Sequence, residues 1–590
     1  MRRSLNTLPE PSVRPSSNRG ANATERTLPY RQRRLSAVRL FLLSSLFCLA
    51  LPAAQPARSR KAMVVSREAN ATDAGVAILQ AGGNAIDAAV AVGFALAVTH
   101  PSAGNIGGGG FMLIRFKDGR TTFIDFRERA PLAATRDMYL DKDGNPTQDS
   151  VRGWRAPGVP GTASGLEYAH RKYGKAKWAD AVALSVKLAR EGFTISYGLA
   201  QGLKGSKAVA QFDESKRIFQ NNGQFFEPGD KLVQPELARV LDRIQKVGAK
   251  DFYEGETAKL FVKQMAANGG LITLEDLKAY QPAERTPLQS KFREKYTIIT
   301  APPPSSGGIG ILQMLSVLEK TGYEKNGAGS AQAIHFTAEA MRRFYADRAE
   351  HLGDPDFWPV PVSKLLSVNY LNKLRASIDP DKATNSDAIK AGDIATMESA
   401  ETTHYSIVDS EGNAVAVTYT LNGGYGSGVT VPGLGFLLNN EMDDFSVKPG
   451  HPNMFGALGG EANAIVPKKR PLSSMSPTIV LKDGKPFLVV GTPGGTRILT
   501  SVMQVIQNVL DFDMNIQDAV NFPRFHHQWR PDKLYLEPQI SPDTRRLLEQ
   551  KGHAVEIARS ICEMASIQFE DNGWLAGAAD PRVEGKAAGY

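Results

Sequence analysis

Residues 401–426 read ETTHYSIVDSEGNAVAVTYTLNGGYG, and this stretch decides how the chain is read. Thr402–Val408 and Ala414–Leu421 both alternate around a turn at Ser410-Glu411-Gly412-Asn413, which predicts an antiparallel hairpin. The first strand opens on Thr402-Thr403, directly after a polar, aromatic-poor run (384–401) expected to be exposed and mobile. A threonine hydroxyl is a weak nucleophile unless a base lies beside it. A chain cut before Thr402 would supply one, because an α-amino group with a pKa of about 8 is partly neutral at physiological pH. Taken alone, a Thr-Thr pair opening a strand fits ordinary β-propensity as well.

Outward from the hairpin, helices flank antiparallel strands. ATDAGVAILQA (Ala71–Ala81) predicts a helix closed by Gly82-Gly83, and Asn84 is placed to cap a second helix, Ala85–Val98. That helix is apolar all round and so belongs in the core. GNIGGGGF (Gly104–Phe111) leads into strands Phe111–Phe116 and Thr121–Phe126, joined at Lys117-Asp118-Gly119-Arg120. Residues 162–280 are mostly helical in pattern, with Thr273 as one cap, and a Pro-rich then Gly-rich connection at 301–308 enters a helix at Ile309–Leu318. A later hairpin, Thr478–Leu481 and Phe487–Val490, runs into Thr492-Pro493-Gly494-Gly495 and a helix over Arg497–Val509. This order predicts a layered α/β fold with sheet in the middle, and the composition breaks at 401/402.

The charge balance excludes one class of function. The chain has 590 residues with 70 basic and 61 acidic side chains, a formal charge of +9. Nine arginines against Glu10 and Glu25 put +7 of this in residues 1–54, leaving a nearly neutral body with no electrostatic footprint for nucleic acid. Leu40–Ala54 is apolar, follows Arg33, Arg34 and Arg39, and ends in small residues, the pattern of a secretory signal peptide. Cleavage is expected near Ala54 or Ala57, with Ala50 as another site and an uncleaved anchor as the alternative reading. Export predicts a periplasmic or secreted protein. Removal of the leader takes Cys48 with it, so Cys562 has no partner for an intramolecular disulfide.

The longer pattern Thr402-Thr403-His404-x-Ser406-Ile407, then Gly412-Asn413-x-Val415-Ala416-x-Thr418-x-Thr420-Leu421-Asn422, then Tyr425-Gly426, resembles the γ-glutamyltranspeptidase (glutathione hydrolase) family, bacterial periplasmic branch. So do ATDAG, GGNAIDAAVAV, GNIGGGGFMLI, DFRE, PPPSSGGI, LLNNEMDDFS, KRPLSSMSPT and GTPGG, together spanning about Ala71 to Tyr590. The resemblance implies a four-layer αββα N-terminal-nucleophile hydrolase sandwich, formed jointly by two subunits cut from one precursor. These would be a large subunit (55–401) and a small one (402–590), after a signal peptide (1–54). Thr402 would attack the carbonyl of Glu401 to release itself, then attack γ-glutamyl amides such as glutathione and its conjugates. The resulting γ-glutamyl ester would pass to water or to an amino acid or dipeptide acceptor. By the same resemblance Thr420 supports the nucleophile and Gly494-Gly495 form the oxyanion hole. Arg127, Ser473 and Ser474 would hold the substrate's α-carboxylate, and Asn422, Glu441 and Asp444 its ammonium. No cofactor, metal, nucleic-acid or membrane partner is implied once the leader is removed. The lid loop Lys448–Gly460 carries Phe455 where bacterial members often have a tyrosine, which predicts a looser gate over Asn422.

Two rival readings are a glutaryl or cephalosporin acylase on the same scaffold and a non-catalytic exported binding protein. Other signals are set aside. GNIGGGGF lacks a following Lys-Ser/Thr and enters a strand, so tight packing near the active site is expected rather than phosphate binding. His526-His527 is not at metal-ligand spacing and is expected to stack within the fold. Asn22 and Asn70 fit a glycosylation pattern of little specificity, and His404, on the face of Thr402 by parity, is not assigned as a base.

Overall fold

The computed structural model describes residues 54–389 and 402–590; the predicted leader up to residue 53, and Glu401, lie outside the described residues. The hairpin forms as its alternation predicts, with Thr402–Val408 antiparallel to Ala414–Thr420. It sits at the centre of a seven-stranded antiparallel sheet. Met63–Ser66 and Lys586–Gly589 extend that sheet on one side, and Gly109–Arg115, Thr121–Asp125 and Ala283–Arg285 on the other. A second seven-stranded sheet stacks on it, with Ala565–Phe569, Lys485–Gly491, Thr478–Lys482 and Tyr296–Thr300 in its middle.

Strand alternation assigns each face. Met112, Ile114, Tyr405, Ile407, Val415 and Val417 join the apolar cluster under the outer helices, while Phe111, Leu113, Met63 and Val65 join the cluster shared with the second sheet. The predicted core helix, Ala85–Thr99, is buried along its whole length, and Asn84 and Asp87 close a capping box at its start. Tyr405 and Tyr419 donate their hydroxyls to the carbonyls of Ala89 and Gly93 on this helix, both at 2.9 Å. Asp409 in the hairpin turn accepts the Ala85 N–H at 2.9 Å. Helices Gly307–Leu318 and Arg497–Leu510 cover the second sheet, completing four layers, αββα.

Three details depart from the sequence reading. The strand expected at Phe111–Phe116 begins at Gly109, because Thr420 and Tyr419 pair with Gly109 and Gly110. The first helix runs Ala69–Gln80, capped by the Glu68 carboxylate, which accepts the N–H groups of Asn70 and Ala71. Within the polar run expected to be exposed, Ser386 is fully buried, since its N–H is donated to Asp532 at 2.8 Å and its hydroxyl meets Arg342. The rest of that run, 390–401, lies outside the described residues. Among the described residues no helix is long and apolar enough to cross a membrane.

The glycine-rich segment packs backbone against the hairpin, as expected. A Cβ at Gly110 would lie 2.6 Å from the Thr418 carbonyl and run into Tyr419. Gly110→Ala is therefore expected to cost about 1–3 kcal/mol by overpacking and to lower the melting temperature. Gly205→Ala, where a Cβ meets nothing within 4 Å, should leave it unchanged or raised. Equal melting temperatures for the two variants would contradict this account of the segment.

Candidate active site

Thr402 opens the central strand, and the register sets it directly opposite Thr420. Their hydroxyl oxygens are 3.2 Å apart, and Thr420 Oγ1 also accepts the Asn422 N–H at 2.8 Å. Parity turns Thr402, His404 and Ser406 toward the second sheet. Ser406 donates to the Ala565 carbonyl at 2.9 Å, and the His404 ring fills the space left by Gly491. Burial pushes the His404 pKa down to about 3, and its ring nitrogens meet Thr418 and Ser406 hydroxyls, so it wedges the sheets apart as a neutral group.

Thr402 itself is buried, 6% exposed, and borders a cavity of about 340 Å³. Thr420, Asn422, Arg127, Glu441, Asp444, Ser473, Ser474 and Gly495 line the same cavity; of the ten residues singled out, Gly494 alone stays behind the wall. Gly494 and Gly495 have φ of 136° and 56°, a region L side chains rarely adopt, and a Cβ at Gly494 would run into the Cys562 thiol. They lead into the helix Arg497–Leu510, whose positive N-terminal end therefore faces the cavity side. Burial pushes the Cys562 thiol up to about 11, making it packing rather than a reactive group.

The charged side of the cavity is a tight cluster. Arg127, 1% exposed, donates to the carbonyls of Pro471 and Leu472 at 3.3 and 3.1 Å and is ion-paired with Glu441 and Asp444. Burial alone would lower its pKa, but the carboxylates of Glu441, Asp444 and Glu128 more than offset this and hold it charged. Burial in turn pushes Glu441 well above the usual carboxylate range, against the pull of Arg127. The guanidinium and the acids expected to hold opposite ends of a zwitterion thus hold one another in this structure.

Sequence reasoning missed several members of the site. Glu128 is fully buried 3.8 Å from Arg127, and burial pushes its pKa up to about 7. Its position beside Arg127 in DFRE was the available signal. Arg348 comes from the last turn of helix Ala331–His351 and reaches Ser474 at 3.4 Å and Ser306 at 3.1 Å, with no local motif to announce it. Ser305 and Ser306 of PPPSSGGI back the Ser473–Met475 strip through hydrogen bonds of 2.7 Å.

The lid segment is pinned by two adjacent acids. Asp444 accepts the Asn453 amide at 3.0 Å, while Asp443 accepts the Met454 N–H at 2.8 Å and the Ser150 hydroxyl at 2.9 Å. Phe455 lines the cavity, and Asn422 donates its amide to the Asn440 carbonyl at 3.0 Å. Burial raises Asp443 to about 6 despite these hydrogen bonds. It is therefore ionised above pH 6 and gains a proton as pH falls through that value, losing one acceptor. A hydrogen bond to a charged group exceeds a neutral one by about 1 kcal/mol. The amide-exchange protection factor at Met454 should then fall about 5-fold from pH 7 to pH 5. Asp443→Asn should show the lower value at both pH values, and a pH-independent wild-type factor would refute the latch.

Comparison with known proteins agrees with this geometry. The family model described as gamma-glutamyltranspeptidase matches residues 71–590. The glutathione hydrolase proenzyme of Escherichia coli (strain K12) is 52% identical over 539 residues, covering 91% of this chain and 93% of that one. Among solved structures, the cephalosporin acylase from Bacillus halodurans superposes with a TM-score of 0.80 at 26% identity, over 92% of this chain and 98% of that chain. The γ-glutamyltranspeptidase of Helicobacter pylori, with a TM-score of 0.55, is 43% identical over 58% of this chain and 97% of that chain. With the family's pattern matched from Ala71 to the last residue and its hairpin, glycine pair and charged cluster gathered at one cavity, the chain belongs to the γ-glutamyltranspeptidase family.

Proposed function

We propose that the protein is a self-cleaving γ-glutamyltransferase and glutathione hydrolase, exported by its leader. The observation that carries this reading is the pairing of Thr402 with Thr420 at the rim of a cavity whose far side holds Arg127, Glu441 and Asp444. In maturation, Thr402 Oγ1 attacks the carbonyl carbon of Glu401, the peptide C–N bond breaks as the ester C–O bond forms, and water hydrolyses the ester. This frees the Thr402 α-amine and divides the chain into 55–401 and 402–590. In catalysis that amine takes the hydroxyl proton as Oγ1 attacks the γ-carbonyl of a γ-glutamyl amide. We assign the Gly494-Gly495 turn, of which Gly495 lines the cavity, as the source of the N–H donors to the developing oxyanion, a contribution of about 10²–10³ in rate per donor. The ammonium returns its proton to the departing amine, and water or an amine then resolves the γ-glutamyl ester.

The pocket's charge supports the γ-glutamyl donor over the glutaryl one. A substrate carboxylate that takes the Arg127 fork displaces Glu441 or Asp444, and these acids then need a new cation. The α-ammonium of a γ-glutamyl group is that cation, and a glutaryl group has none. Leaving one partner of a buried pair uncompensated costs about 3–5 kcal/mol. A γ-glutamyl anilide should therefore exceed the glutaryl anilide in kcat/KM by about 100-fold or more, and parity between them would favour the acylase reading.

Maturation gives a direct test. N-terminal sequencing of the smaller fragment should begin at Thr402, and Thr402→Ala should remain one uncut, inactive polypeptide. A cut and active alanine variant would overturn the mechanism.

A further inference from the structure

The lid loop carries a sulfur that belongs to no apolar cluster. Twelve methionines lie among the described residues, and nine of them are buried. Of the three that reach the surface in part, Met138 and Met514 pack against apolar clusters, whereas Met454 joins none. Its side chain turns toward amides. A Cβ at Gly423 would lie 3.0 Å from the Met454 methyl carbon. The sulfur faces the side-chain nitrogens of Asn440 at 3.4 Å and Asn422 at 3.9 Å.

Each of those amides has one proton well placed and one poorly placed. Asn422 gives an N–H to the Asn440 carbonyl and Asn440 gives one to the Val151 carbonyl, both at 3.0 Å. The second N–H of each is left to the thioether, a weak acceptor. The backbone of the same residue is held on its other side, where the Met454 N–H is donated to Asp443 at 2.8 Å. Met454 thus stands between the loop and the pocket asparagine, next in the chain to Phe455, whose ring has no hydroxyl to offer.

Oxidation reverses the weakness of that contact. Methionine sulfoxide is polar where the thioether is not, and its oxygen accepts hydrogen bonds. An oxygen one bond out from the sulfur, on the side of the amides, closes the gap to the ordinary N–H···O range of about 2.7–3.2 Å. Both amide protons that the thioether serves poorly then have a good acceptor on the loop.

We propose that Met454 is a modification site, oxidised to the sulfoxide by small hydroperoxides, and that the sulfoxide clamps the lid loop onto Asn422 and Asn440. The sulfur lone pair attacks one peroxide oxygen, the S–O bond forms as the O–O bond breaks, and sulfur gives up two electrons. With hydrogen peroxide the second oxygen leaves as hydroxide and takes the proton of the first, forming water. The consequence for turnover rests on the γ-glutamyl reading, in which Asn422 helps hold the donor's ammonium and the loop must open for donor and product to pass. Two neutral hydrogen bonds in place of two sulfur contacts correspond to about 10-fold in the closed-to-open ratio.

The test exposes the matured heterodimer to hydrogen peroxide at pH 7 and removes the excess before measurement. Peptide mass analysis should find one added oxygen on Met454. The amide-exchange protection factor at position 454 should rise about 10-fold, and kcat/KM for a γ-glutamyl anilide should fall by a similar factor. Met454→Leu, compared with its own untreated sample, should show neither change, whereas Met138→Leu should respond as the natural sequence does. Three results would each overturn the proposal: a Met454 that stays unmodified while Met138 and Met514 are oxidised, a sulfoxide at 454 with unchanged or lower protection, or an equal loss of rate in Met454→Leu. An untreated protein that fails to consume the anilide would instead overturn the γ-glutamyl reading, and the protection factor would still decide the clamp.

Discussion

One register constrains the rest of the molecule: Thr402 is paired across the central strands with Thr420, which is paired in turn with Gly109. A slip of one residue would turn Thr402 away from the second sheet and bring Thr403 into its place. Several buried contacts hold against that slip. Tyr405 and Tyr419 anchor one face to the core helix, His404 and Ser406 lock the other face to the second sheet, and Asp409 pins the turn. The position of Thr402, the proposed nucleophile, is thus a property of the sheet, and the cavity beside it is completed by residues arriving from elsewhere.

The charge cluster is the second constraint. Arg127 follows one strand of the central sheet, whereas Glu441 and Asp444 sit in a short 3-10 turn more than 300 positions later in the chain. Burying three carboxyls around one guanidinium is costly unless they pair, and the structure pairs two of them directly. The cluster therefore stores, within the protein, the same opposite charges that a zwitterionic ligand would bring. Under the proposed function, recognition would be an exchange of partners, which favours ligands that carry both signs.

Much of this was legible in the sequence because it is local. The alternation of 402–421, the Asn84 cap and the glycine pair at 494–495 each announce their conformation within a few residues. That Arg127, Asn422 and Asp444 line one cavity was legible only through the family pattern, since nothing in their spacing reveals that they meet. Strands such as Met63–Ser66, Ala57–Ser59 and Lys586–Gly589 went unread, because three or four residues carry too little periodicity and their pairing is non-local. Glu128, Asp443, Arg348 and Gln528 were also missed, being buried polar groups whose partners are brought by distant segments.

The central sheet interleaves chain from both sides of position 402: Met63–Ser66 and Gly109–Arg115 flank the hairpin, and Lys586–Gly589 lies at the edge beyond Met63–Ser66. Neither portion could bury a complete core by itself, so a break at that position edits the covalent thread without creating independent modules. One transcript then guarantees equal numbers of both pieces. Exchange of a piece between molecules would require unravelling the sheet, which makes the assembled pair a lifelong partnership instead of a reversible complex.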